Sequence, residues 1–113
     1  MTMGCLRIQA IAALNDEMRM NPGERRLGIV TMTPTVAALG SEFWGKVLVK
    51  LANECKFDRL SERDRGTIEV DGRRLLFRID YYQRGVGYMA TSEIPEDPTI
   101  TERVLAVSFD EDC

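Results

Sequence analysis

The chain has 113 residues, of which 44% are hydrophobic and 29% charged, values that exclude a disordered or a fibrous class. A chain of this length makes one domain, residues 1–113, and buries roughly two-thirds of its unfolded surface, enough for a core without staples. The net charge is −3 and there is no histidine, which removes the commonest general base, the commonest metal ligand and every Ser/His or Cys/His nucleophile arrangement.

That charge is unevenly placed. Residues 1–56 carry seven basic and five acidic side chains, residues 57–113 eight and thirteen. From 93 onward Arg103 stands alone against Glu93, Glu96, Asp97, Glu102, Asp110, Glu111 and Asp112, an end that repels nucleic acid. No apolar run approaches the length of a membrane span. Arg7, Gln9, Asn15 and Asp16 interrupt the early apolar cluster and no basic segment precedes it, so no secretory signal is expected and the expected location is the cytoplasm. Cys5, Cys55 and Cys113 are odd in number and far apart, giving neither a disulfide framework nor a CxxC metal site; Cys55 is expected to be buried.

Residues 5–20 read as an amphipathic helix with Ile8, Ile11, Ala12, Leu14 and Met18 on its apolar stripe, ended by Asn21-Pro22-Gly23. Arg25 to Met32 reads as a first strand. Thr33 caps and Pro34 opens a short helix that Gly40 breaks. Ser41 is expected to cap the best helix, with Glu42 in its first turn and Trp44, Val47, Leu48, Leu51, Ala52 and Cys55 on one stripe. Val49 falls on its polar side. Phe57 to Arg65 carries no period and links this helix to a hairpin.

The hairpin, Gly66 to Tyr82, turns at Asp71-Gly72, a pair suited to a two-residue type I′ turn because both positions need φ > 0. That turn sets Val70 against Arg73, Glu69 against Arg74 and Ile68 against Leu75. Ile68, Val70, Leu75, Phe77, Ile79 and Tyr81 then share a core face, and Thr67, Glu69, Arg74, Leu76, Arg78, Asp80 and Tyr82 the other. The nineteen residues from Gln83 to Thr101 show no alternation, and a connection of that length is either functional or poorly ordered. Arg103 to Phe109 is almost wholly apolar and belongs inside the sheet. The expected fold is α+β: a mainly antiparallel four-stranded sheet with two or three helices packed on one face.

Chemistry is sparse. There is no Walker loop, dinucleotide fingerprint or EF-hand. Arg84-Gly85-Val86-Gly87 reads as a turn, because it does not lie between a strand and a helix. Asp80 and Asp16 are the candidate acid/base carboxylates, set against ordinary roles in which Asp80 pairs with an arginine across the sheet and Asp16 is solvated at a helix end. Tyr81, Tyr82 and Tyr88 are expected in the core or at an interface, since the acidic surround argues against base stacking. No catalytic residue, metal or cofactor is assigned.

The stretches Ile11-Ala-Ala-Leu-Asn-Asp16 with Arg19, Val30-Thr-Met-Thr33 with Val36-Ala-Ala-Leu-Gly40, Phe77-Arg-Ile-Asp-Tyr-Tyr82, Pro95-Glu-Asp-Pro98 with Thr101, and Arg103-Val-Leu105 give the chain its likeness. It resembles a family of short bacterial domains of unknown function found in plasmid and prophage regions. Where that family carries Asn-Asp-Pro and Glu-His-Asp-Phe-Gly before the hairpin, this chain has Ser61-Glu-Arg-Asp-Arg-Gly66, a departure that weakens an enzyme reading.

The expectation that follows is a non-enzymatic protein-binding module of a mobile element. Its sharpest form is an anti-CRISPR-like inhibitor of a host nucleic-acid-targeting defence complex, binding a basic surface of an effector subunit with no direct contact to nucleic acid or membrane. The expected partner-binding residues are Asp80, Tyr82, Glu93, Glu96, Asp97, Glu102, Asp110, Glu111 and Asp112. The alternatives are an antitoxin or regulatory partner protein, and a small hydrolase using Asp80 and Asp16.

Overall fold

The computed structural model describes residues 3–53, 57 and 61–112, with the side chains of 6–53, 57 and 61–111. Its elements are α1 (Met3–Met20), β1 (Gly28–Met32), α2 (Pro34–Ala37), α3 (Gly40–Asn53), β2 (Arg65–Val70), β3 (Arg73–Gln83), β4 (Thr101–Phe109) and a closing 3₁₀ turn, Asp110–Asp112. The expected burial of Cys55 and the links around it lie outside the described residues, as do the side chains of Cys5 and Cys113. Among the described residues no helix is long and apolar enough to cross a membrane.

The four strands lie in the order β1-β4-β3-β2, with β1 parallel to β4 and the other two pairs antiparallel. The fold is α+β, as the pattern of elements implies. Asp71 and Gly72 take φ of 52° and 78°, so the turn is left-handed at both positions, and the register matches Val70 to Arg73, Glu69 to Arg74 and Ile68 to Leu75. β4 sits between β1 and β3, and its residues alternate between buried and half-buried along the whole strand. The parity of β4 puts Thr101, Arg103, Leu105, Val107 and Phe109 on the core side.

The core lies between that face and the helices. Ile68, Val70, Leu75, Phe77, Ile79, Leu105, Val107 and Phe109 meet Met18, Leu27, Val36, Phe43, Val47 and Leu51. Each aliphatic side chain so enclosed stabilises by about 1.5–3 kcal/mol relative to exposure. Gly28 lets β1 approach β4, because a Cβ there would stand 1.8 Å from the Arg103 carbonyl oxygen.

Two helix assignments need correction. The buried residues of α3 are Phe43, Val47 and Leu51, at four-residue spacing, while Trp44 and Leu48 are half-buried at the margin. Phe43 takes the central position because its ring meets Phe109 of β4 at 6.0 Å. Ser41 lies inside the first turn rather than capping it, since α3 begins at Gly40, whose φ of 88° makes the break from α2. Thr33 holds the N-cap position of α2 ahead of Pro34, as expected, but makes no side-chain cap bond.

Candidate functional site

A polar cluster interrupts the core where α1 crosses the Tyr81 end of the sheet. Asn15 and Arg103 are wholly buried. The Asn15 Oδ1 accepts from Arg103 Nε at 2.7 Å, and its Nδ2 donates to the Tyr81 hydroxyl at 2.8 Å and the Glu62 carbonyl at 2.9 Å. The Tyr81 hydroxyl in turn donates to Glu62 Oε1 at 2.8 Å. Burial, together with the Glu62 carboxylate, pushes the Tyr81 phenol well above its usual range, so it remains a donor. Burial lowers the pKa of the Arg103 guanidinium, while Tyr81 and Glu62 act to raise it. A second knot lies one turn on, where Asp16 accepts from both Arg19 and Arg63, and Arg19 stands over Phe57 at 4.5 Å.

This cluster ties neighbouring segments together. Arg103 spends Nη2 on the Pro95 carbonyl at 2.7 Å, which fastens the 84–100 loop to α1 and β4. Other bonds secure the rest of the loop. Ser92 and Thr101 share a 2.6 Å bond, and the Thr101 hydroxyl donates to the Ile94 carbonyl at 2.8 Å. Arg84 reaches the Pro98 carbonyl at 3.0 Å, Glu102 at 3.3 Å and the Arg26 carbonyl. Arg7 of α1 holds Glu96 at 2.8 Å and the Glu93 carbonyl. Asp97 accepts from the Thr99 hydroxyl at 2.6 Å and its N–H at 3.0 Å, bonds that depress its pKa. The long connection is therefore a built loop.

What the loop carries on its outer side is apolar. Of nine exposed large apolar side chains among the described residues, five, Val86, Tyr88, Met89, Ile94 and Ile100, fall here. Met89 is 86% exposed and Tyr88 46%. Tyr88 holds a φ of 65°, rare for a bulky residue, beside Gly85 and Gly87, which are also left-handed. Its ring stands edge-on to Tyr82 at 5.5 Å, and its hydroxyl bonds Glu102, which raises the phenol's pKa.

The expected partner-binding residues divide. Glu93, Glu96, Asp97, Tyr82 and Glu102 gather around this loop, and Asp80 sits on the open sheet face beside Arg78 at 3.2 Å, on its own strand rather than across the sheet. Asp110 and Glu111 lie past the other end of β4, roughly 25 Å away by strand rise, paired with Arg74 at 3.7 Å and Arg73 at 2.6 Å. The side chain of Asp112 lies outside the described residues. Asp80 and Asp16 are on opposite sides of the sheet, Asp16 in the arginine knot rather than solvated. No group of three or more metal-ligating side chains occurs among the described residues.

Sequence reading passed over Asn15, Arg103 and the apolar tip. The signals were present for the first two: Asn15 continues the Ile8–Ile11 stripe, and Arg103 shares the parity of Leu105. The model of a family described as protein of unknown function (DUF3768) matches residues 32–112, and the chain belongs to that family. No curated protein and no solved structure matches it.

Proposed function

We propose that this DUF3768 protein is a non-enzymatic binding module that docks a protein partner on its 84–100 loop. One observation carries the reading: Tyr88 and Met89, residue types enriched at interfaces, stand exposed on a loop already held by buried hydrogen bonds. A loop fixed beforehand loses little entropy on binding. The same loop also carries the carboxylates Glu93 and Asp97, so the favoured partner has an apolar pocket with basic edges. A subunit of a nucleic-acid-targeting defence complex has such basic edges, and an anti-CRISPR-like inhibitor carried on a mobile element is the sharpest form of this reading.

The test is a pull-down from a bacterial lysate with wild type, Met89→Glu and Tyr88→Ala. The expected result is a specific protein recovered by wild type and lost with Met89→Glu, whose melting temperature stays within a degree or two because the side chain is exposed. Recovery unchanged by both variants would overturn the loop as the docking surface.

A further inference from the structure

β2 is an edge strand, and its outer side carries no strand. In the hairpin, hydrogen-bonded pairs alternate with open ones. The Ile79 N–H donates to the Asp64 carbonyl at 2.6 Å, so the paired residues of this strand run 64, 66, 68, 70, and Arg65, Thr67 and Glu69 turn their N–H and C=O groups outward. All three are exposed. An uncovered row of this kind is a template for another strand, and edges that avoid pairing carry proline, a bulge or charged side chains, lysine above all. β2 has no proline, bulge or lysine, and its two charges, Arg65 and Glu69, are of opposite sign.

From this we infer that a second copy of the chain pairs with β2 antiparallel about a two-fold axis through Thr67. In that register Thr67 meets its own counterpart, Arg65 faces Glu69 of the second copy, and Glu69 faces Arg65. Two opposite-charge pairs form at once. The residues sharing the strand's other face, Gly66 and Ile68, meet each other across the axis. The arrangement is isologous and closes as a dimer with one eight-stranded sheet. Within the single chain Arg65 faces Arg78 across the hairpin, a like-charge pair that a facing Glu69 relieves.

α3 leaves this edge open. It packs beside β2, and its exposed Val49 and Gly45, one turn apart, line an open recess with Glu69 and Val70. Nothing stands within 4 Å of the Cβ position of Gly45. The axis is perpendicular to the sheet, so the two α3 helices come to lie on the same side of it, each recess toward the turn end of its own β2.

Sedimentation equilibrium on the full chain, from low micromolar to submillimolar, tests the inference. Wild type is expected at twice the chain mass. Thr67→Pro removes an outward N–H and leaves the hairpin's own bonds, and should give a folded monomer by circular dichroism. Arg65→Glu or Glu69→Arg alone turns both charge pairs repulsive and should weaken the dimer about tenfold. The double variant Arg65→Glu/Glu69→Arg restores both pairs and should recover association even if Thr67→Pro fails to fold. A wild type that stays monomeric overturns the inference, as does a charge swap that fails to recover or a dimer unchanged by every variant. A monomeric chain that captures an unrelated strand peptide on β2 overturns the second copy as occupant.

Discussion

Asn15→Ala is the sharpest perturbation of the buried cluster. The side chain is wholly buried and makes three bonds, one from a guanidinium and two from its own amide. Losing a bond to a charged group costs about 1.5–3 kcal/mol and each neutral one about 0.5–1.5 kcal/mol, so the sum is about 2.5–6 kcal/mol. Arg103 has little slack, since its Nη1 is already buried without a hydrogen-bond partner among the described residues. A domain of this size has about 5–15 kcal/mol in all, and at about 4 °C per kcal/mol the melting temperature should fall by about 10–24 °C. Urea unfolding followed by the fluorescence of Trp44, half-buried against the core, measures it. Arg103→Met completes a cycle: with both side chains gone neither is left buried without the other, and the double variant should lose at least about 1 kcal/mol less than the two singles summed. A loss below about 1 kcal/mol for Asn15→Ala, or strict additivity, would refute the cluster as the tie between α1, β4 and the loop.

Two further outcomes follow from the same geometry. Gly28→Ala puts a methyl 1.8 Å from a backbone oxygen of β4, where no side-chain rotation relieves it, and should cost more than about 3 kcal/mol; an unchanged denaturation midpoint would show that β1 and β4 are not so close. Tyr81 has a phenol pKa raised by folding, so the stability it contributes is present below its unfolded value of about 10 and is lost as pH rises above it. Wild type should therefore lose stability more steeply than Tyr81→Phe in alkaline melts, and equal slopes would contradict the burial of that hydroxyl.

Local rules made the hairpin legible. Asp71-Gly72 demands left-handed residues, and once the turn is fixed the parity of every residue to Tyr82 follows. The central place of β4 was legible from its apolar run, though calling that run apolar hid the fact that Arg103 falls on the core side. Asn15 was hidden in the same way, a polar residue at a stripe position. The loop anchors were not legible at all, because Arg84 and Arg103 bond backbone carbonyls, and a carbonyl looks the same at every residue. The stripe of α3 is legible at Val47 and Leu51 but not at its first position, since Phe43 and Trp44 both suit a core and only the position of Phe109 decides between them.

The place of β4 in the sheet bears on how the chain reaches its fold. β1 pairs with residues 103–107, and no local segment substitutes for them. The β2–β3 hairpin closes a two-residue turn and can form within microseconds, whereas the joining of β1 waits on a contact some seventy-five residues away. On the ribosome, which makes the N-terminal strands first, β1 and the hairpin emerge with their inner edges bare, and only the later arrival of β4 zips them together. A stall or cut before Thr101 therefore leaves a lone strand and a separate hairpin with open edges, a species for chaperones and proteases rather than a weakened version of the native protein.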